Sequence, residues 1–564
     1  MKKTSKSKGI FMFLAIIVII GAVVVFGINA TKNNGKTTST LTLEESQKNL
    51  QNMIKNVNVT NLQATKSQVT SPIGDVKETL PEITKYPMQV TPATTNSVEI
   101  FSSPEKAGTG KDGWLVEVAK RFNNANVAVN GSKASVGVRS IASGLGTDYI
   151  ISGKYIPDAF SPSNEFWMSM IKASGAKTEE ISNRMVGNVP GIILSNATAE
   201  KIKTKYKNVT IENINKAVEN GEMAMGYTNP FSSSSGLNYL VSTLYTYDSK
   251  DILSDKAVAG FEKFQANIPF VAYTTLQMSE SAKSGVLDGF ILEYQTYKNT
   301  ADLRTGYTFI PYGVRHDNPL YALGELTAEK KAILKKFAEF CKSSESQALA
   351  KDYGFNYMED YTSTVKEPTG DVLLQAQRLW KQKKDVTKNI ATVFVSDVSG
   401  SMEGESMNAM KTSLLNGAQY ISKDVSLGFV TFSNDVQVAL PLGKFDMNQR
   451  AFFAGAVENM RASGGTAMYD GILVGAKMLM EYKALHPDAT LMLFVATDGE
   501  PNQGHTFNKV KDTLKGLNIP VYTIGYNSNI SILQELSNLN EAASINADSE
   551  DVIYKLGSLF NSQM

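Results

Sequence analysis

The stretch Thr392-Val393-Phe394-Val395-Ser396-Asp397-Val398-Ser399-Gly400-Ser401 decides how the C-terminal third of this chain is read. An apolar, β-branched run gives way to a carboxylate and two hydroxyls at alternate positions, and a glycine lets the backbone turn. Two later stretches repeat the arrangement. Ser463-Gly464-Gly465-Thr466 offers a hydroxyl after paired glycines, and Leu491-Met492-Leu493-Phe494-Val495 runs into Ala496-Thr497-Asp498-Gly499. Oxygen donors of low total charge suit a hard cation that keeps part of its water, Mg²⁺ ahead of zinc or copper. Donors just past the carboxyl ends of parallel strands lie where open α/β sheets bind ligands.

Outward from that stretch, strands and helices alternate to the C-terminus. Strands are expected at 391–396, 425–432, 436–440, 490–496 and 521–525. Helices are expected at 407–421, 449–461, 467–485, 507–517, 530–539 and 549–559. The strand at 436–440 follows its neighbour after a Ser-Asn-Asp turn and is expected to be the antiparallel edge of a doubly wound sheet. Asp397-x-Ser399-x-Ser401 with Thr466 and Asp498 resembles the metal-ion-dependent adhesion site of von Willebrand factor type A domains. The resemblance covers 389–564. It implies that Ser399, Ser401 and Thr466 supply neutral oxygens, that Asp397 and Asp498 act directly or through water, and that the ion's open position takes a carboxylate from a protein partner. The cation implied is Mg²⁺, with Mn²⁺ or Ca²⁺ as alternatives.

Residues 91–361 carry a second α/β pattern, whose alternating strands and helices argue for parallel sheets. Asp158-Ala159-Phe160-Ser161-Pro162-Ser163-Asn164, Gly226-Tyr227-Thr228-Asn229-Pro230 with Ser232 to Gly236, and Asp288-Gly289-Phe290-Ile291-Leu292-Glu293-Tyr294 resemble strand ends of bacterial extracellular solute-binding proteins of the two-lobed, type 2 class. One lobe is expected at 97–185 plus 300–360 and the other at 186–299. Ser232, Ser233, Ser234 and Ser235 precede an apolar helix, where hydroxyls and backbone N–H groups can hold a carboxylate or oxyanion. Ser102, Ser103, Ser161, Ser163 and Thr228 are their candidate companions from the facing lobe. A linker at 362–388 contains an amphipathic helix whose Val372, Leu373, Ala376, Leu379 and Trp380 stripe suits docking on a neighbouring domain.

The N-terminus begins with Lys2, Lys3, Lys6 and Lys8 and an apolar run from Ile10 to about Ala30. As a helix, that run spans roughly 30 Å, a bilayer core. The expectation for 1–30 is therefore a signal-anchor with a cytoplasmic amino end and an extracellular bulk; cleavage after Ala30 is the other reading. Residues 31–90 are rich in Thr, Asn, Ser, Lys and Gln and read as a polar tether, with a short helix within Leu41 to Val57.

Composition narrows the function. With 56 Lys and Arg against 55 Asp and Glu the net charge is +1, so no global field favours nucleic acid. One cysteine and three histidines rule out an internal disulfide framework and argue against a zinc cluster. Cys341 reads as a core thiol, and His505 as an exposed loop residue near the rim of the metal site. Gly108-Thr109-Gly110-Lys111 lacks the pattern of a phosphate-binding loop. No nucleophile–base pair is evident, and the expectation is binding, not catalysis. The fold class expected is α/β: a two-lobed solute-binding-like module, then a doubly wound type A domain, behind a transmembrane helix. The expected function is a membrane-anchored bacterial surface protein that binds a protein partner's carboxylate through its metal. The alternative is capture or sensing of a solute, an oxyanion among the candidates, with the type A domain docking a transport or stress-response complex.

Overall fold

In a computed structural model of the chain, the structure describes residues 41–69, 76–269, 271–272, 278, 282, 285, 287–385, 388–526, 530–540, 542–548 and 551–564. The expected membrane helix at 10–30 lies outside the described residues. Among those described, no helix is long and apolar enough to cross a membrane.

The C-terminal domain is built on a seven-stranded sheet in the order 59–61, 436–444, 426–432, 390–397, 490–497, 521–526, 544–547. Its centre is parallel: Ile390 to Ser396 pairs in register with Thr490 to Ala496, and Ala391 to Asp397 with Ser426 to Phe432. Side chains alternate across this sheet. Val393 and Val395 pack with Val430, Ile472 and Leu473 on one face. Phe394 packs with Phe429, Phe453, Phe494 and Phe560 on the other. Both faces are apolar because helices cover both, as a doubly wound sheet requires.

Two features of this domain differ from expectation. The strand Val436–Lys444 is antiparallel to its neighbour but is not the edge, because Val59–Asn61 pairs beyond it in parallel register. The expected tether is therefore, over 41–69, a structured part of the C-terminal domain. Helix Leu43–Ile54 starts in a reciprocal cap between Thr42 and Glu45 and buries Leu50 in the core beside Leu473 and Leu514. Further along, Ser67 donates its backbone N–H to Ala451 O at 3.0 Å and its hydroxyl to Glu458 at 2.6 Å. A polar segment that cannot bury a core of its own is ordered here by completing another element's sheet edge. A short strand at Ser544–Ala547, absent from the sequence reading, closes the opposite edge.

The two-lobed module is thus inserted between the strap at 41–69 and the strand that begins at Ile390. One lobe carries a six-stranded sheet ordered 88–90, 135–140, 97–102, 159–161, 320–323, 178–182; the other carries five strands ordered 271–272, 225–228, 289–293, 190–195, 307–311. Neither sheet is purely parallel. Strand Leu320–Leu323 runs antiparallel to both its neighbours, and Pro190–Ser195 runs antiparallel to both of its own. Those strands belong to chain that has crossed between lobes. The second crossing falls after Tyr307–Pro311, so residues 300–311 belong to the second lobe and not, as expected, to the first. Helix Gly370–Lys383 buries Leu373, Ala376 and Trp380, as its stripe predicts. It bridges both lobes: Gly370 abuts Ser169 of the first, and Trp380 Nε1 donates to the Tyr227 hydroxyl of the second at 2.8 Å.

The inserted module also touches the C-terminal domain. Gln563 Nε2 donates to Val271 O at 2.8 Å, Lys381 Nζ to Asn561 O at 3.1 Å, and Lys85 pairs with Asp548 at 2.7 Å. The strap's role gives a direct prediction. Leu50→Ala should destabilise the type A domain by roughly 2–5 kcal/mol, as core truncations do. Leu43→Ala, at a half-exposed position, should stay within about 0.5 kcal/mol. Urea unfolding of the two variants measures the contrast, and a loose tether would leave both unchanged.

Candidate metal centre and interlobe cleft

The parallel register that pairs Ser396 with Ala496 brings the ends of the two central strands together, and with them Asp397 and Asp498. Asp397 has no exposed surface. Its Oδ1 accepts the Ser399 backbone N–H at 2.7 Å and its Oδ2 accepts the Thr497 hydroxyl at 2.5 Å. Ser399 and Ser401 hydroxyls lie 3.0 Å apart, and Ser401 Oγ donates to Asp498 Oδ1 at 2.7 Å. Thr466 reaches the same crevice through its loop. Ser463 N donates to Val398 O at 2.8 Å and Gly400 N to Gly464 O at 3.0 Å, which knits that loop to the Asp397 turn. A Cβ built on Gly499 would lie 3.7 Å from Ser401 Oγ and 3.8 Å from Thr466 Oγ1, so glycine leaves open the space that both hydroxyls border.

Electrostatics mark the crevice as a place for positive charge. Burial raises the Asp397 carboxyl above its ordinary value despite the Ser399 and Thr497 hydrogen bonds, and the Asp498 charge adds to the rise. Asp498 is raised by burial as well. Two carboxylates with partial desolvation and no cation beside them gain from one arriving.

The donor set fits a hard ion. Adjacent oxygens of an octahedron with 2.1 Å bonds stand roughly 3.0 Å apart, the spacing that the Ser399–Ser401 hydrogen bond already holds. Among the described residues no group of three or more His, Cys, Asp or Glu side chains converges on one point. A site for a soft ion is therefore not what these donors make; this one relies on hydroxyls. His505, expected as an exposed rim residue, is mostly buried: its ring Nδ1 lies 2.5 Å from Asp470 Oδ1, and its backbone N–H donates to the same oxygen at 3.0 Å. With Asn502 Oδ1 accepting the Thr466 N–H at 2.9 Å, it ties the loop after Asp498 to the helix after Thr466.

The second candidate site is a cavity of about 360 Å³ between the lobes. Of the residues expected there, Ser103, Ser163, Thr228, Ser232, Ser233, Ser234 and Ser235 line it. Ser102 and Ser161 do not. They are register partners on adjacent strands, fully buried, and their hydroxyls have no partner among the described residues. The lobes meet across the cavity: Trp167 Nε1 donates to Ser234 Oγ at 2.8 Å, and Gly144 N donates to Ser232 O at 3.4 Å.

Three acids on this surface were missing from the sequence reading, namely Glu105, Asp112 and Glu293. Ser103 and Ser163 hydroxyls both donate to Glu105 Oε1, the latter at 2.7 Å. Ser235 Oγ donates to Glu293 Oε1 at 2.9 Å, Asn188 Nδ2 to its Oε2 at 2.6 Å, and His316 Nδ1 lies 2.6 Å from Oε1. Burial pushes the Glu293 carboxyl up, but His316, Ser235 and Lys106 outweigh it and hold the group below its ordinary value. Burial raises the Asp112 carboxyl, although Gln295 Nε2 donates to it at 2.9 Å. Glu293 had a legible signal, since it ends the apolar strand that begins at Gly289, the same signature that marked Asp397.

Behind the cavity lies Lys106, with no exposed surface, bonded to Ser103 Oγ at 2.5 Å and to Ser161 O at 2.8 Å. Burial drives its pKa down to about 8, although Glu105 and Glu293 oppose the shift. The folded chain therefore releases this proton well before the unfolded chain does. Stability from Lys106 is lowest below about pH 8 and rises with pH toward the ordinary lysine value, by up to roughly 3 kcal/mol. Lys106→Met should remove that rise. Urea midpoints at pH 7.5 and 9.5 should show wild type gaining on the variant at the higher pH.

Comparison with known proteins follows these two sites. Residues 392–560 match the family described as von Willebrand factor type A domain, and residues 107–356 match bacterial extracellular solute-binding protein. The chain is 30% identical over 157 residues to inter-alpha-trypsin inhibitor heavy chain H3 of Pongo abelii, covering 26% of this chain and 17% of the relative. The chain thus spans only a small part of that protein. Among solved structures, a von Willebrand factor type A protein from Catenulispora acidiphila is similar at 19% identity and a TM-score of 0.29, over 31% of this chain and 42% of that one. A sulfate-binding protein from Mycobacterium tuberculosis is similar at 15% identity and a TM-score of 0.34, over 47% and 87%.

Proposed function

For a chain that joins a bacterial extracellular solute-binding domain to a von Willebrand factor type A domain, we propose a cell-surface binding protein whose type A domain captures a protein partner's carboxylate through a divalent cation. Both families are binding families, and binding of a protein or a solute is the activity they support. The finer reading is supported by one observation: hydrogen bonds link Asp397 to Ser399 through its backbone N–H, and Ser399 to Ser401 and Asp498 through their oxygens, at the ends of two adjacent strands and beside Thr466. Ser399, Ser401 and Thr466 would hold the ion as neutral donors, with Asp397 and Asp498 balancing its charge. When bound, the cation supplies an electrophilic position that a carboxylate can fill.

Mg²⁺ suits this set best, and Mn²⁺ or Ca²⁺ could replace it. Anchoring by the apolar run at 10–30 is part of the proposal, supported by its length and by the lysines before it. A second reading is favoured by the cavity between the lobes: capture of a small solute by the inserted module, with the type A domain carrying the partner contact.

The cation reading is tested by thermal unfolding of the full chain with and without Mg²⁺, and by partner capture from cell-surface extracts. Mg²⁺ at a hundredfold excess over Kd should stabilise the native state by about 2.7 kcal/mol. Asp397→Ala should lose that stabilisation, and EDTA should release captured protein. Equal stabilisation of Asp397→Ala, or capture that survives chelation, would contradict the proposal.

A further inference from the structure

We infer that the interlobe cavity takes a small organic cation bearing N–H donors, such as a protonated amine, and not an oxyanion. This rests on reading the cavity as a solute site, and it deepens that reading by assigning the charge of the solute. Hydrogen-bond accounting carries it. An oxyanion needs donors pointing into the cavity. Five of the seven hydroxyls expected to supply them already donate within the chain. Ser103 and Ser163 serve Glu105, Ser235 serves Glu293, Thr228 serves Ser233, and Ser232 bonds to Asn229 O. At the start of helix Ser234–Tyr247, where an anion would gain most, the chain has placed the Glu293 carboxylate instead.

Lining chemistry points the same way. Among the described residues Glu105, Asp112 and Glu293 line the cavity, whereas no lysine or arginine does. The buried Lys106 directs its ammonium to Ser103 Oγ and Ser161 O and lies 3.7 Å from Glu105 Oε1, so it balances part of that acid's charge and leaves Asp112, at the mouth, without a cation of its own among the described residues. An incoming anion would therefore meet three carboxylates and few free donors. A protonated amine meets acceptors, and each N–H···carboxylate contact is charge-assisted. Size separates an organic cation from a bare metal ion. About 360 Å³ falls within the range of small-molecule pockets.

Isothermal titration of the detergent-solubilised full chain, in amine-free buffer, tests the assignment with putrescine, spermidine, sodium sulfate and glucose as probes. Binding of either amine, weakened tenfold or more by Asp112→Asn and by Glu105→Gln, supports it. Asp112 is exposed at the cavity mouth, so its amide variant should fold normally; unliganded unfolding midpoints check both variants. Amine binding that neither variant weakens overturns the assignment. So does binding of sulfate or glucose with the amines silent, although the cavity would then stand as a solute site. No heat from any probe up to about 10 mM would overturn the assignment and the solute reading together.

Discussion

A carboxylate with no solvent exposure, at the end of the central strand, sets the terms for the C-terminal domain. Withdrawing Asp397 from water is unfavourable unless hydrogen bonds or a cation compensate it. The Ser399 N–H and the Thr497 hydroxyl supply part of the compensation, yet the group still sits above its ordinary pKa. The remaining deficit is an electrostatic demand for positive charge beside Ser399, Ser401 and Asp498. The parallel sheet creates that demand by bringing two acid-tipped strands side by side, and its two apolar faces hold the strands in that register.

The same sheet explains how a two-lobed module can be inserted without loss of the host domain. Residues 41–69 and 390–564 meet at the edge strand, where Val59–Asn61 hydrogen-bonds alongside Val436–Val438. The insertion leaves the sheet at one edge and returns at its centre. Its contacts with the host gather around the final helix, Val552–Gln563, where Gln563 and Asn561 hydrogen-bond across the boundary and Tyr554 packs against the core of the inserted module. That helix also lays Phe560 against Phe394 and Phe494, at ring centroid distances of 4.8 and 5.4 Å. One element therefore packs on the core of the C-terminal domain and borders the second lobe of the cleft.

How much of this was legible depended on where the stabilising information lies. Asp397, Ser399, Ser401, Thr466 and Asp498 announce themselves locally, because an apolar run ending in small oxygen-bearing residues is a pattern of a few positions. The strap did not. Its residues are polar, and its order comes from a sheet edge nearly four hundred positions away in sequence, which periodicity cannot reveal. Only the partly helical spacing of Leu43, Leu50 and Ile54 gave a local hint of its helix. The cleft was half legible. Its serines stood out as a run and Glu293 ended an apolar strand, but Glu105 looks like an ordinary surface acid until the fold brings it to the hydroxyls of Ser103 and Ser163. Ser102 and Ser161 shared the composition of their neighbours but are the last residues of two paired strands and stay buried, whereas Ser103 and Ser163, beyond the strand ends, reach the cavity.

The account stands or falls on whether the five oxygens share one ion. Diffraction from crystals grown with Mn²⁺, recorded at the manganese absorption edge, answers this most directly. The expected result is one anomalous peak in the crevice, with the Ser399, Ser401 and Thr466 hydroxyl oxygens at metal-bonding distances of roughly 2.1–2.2 Å. A crevice without a peak at saturating Mn²⁺, or an ion bound only elsewhere on the chain, would contradict it.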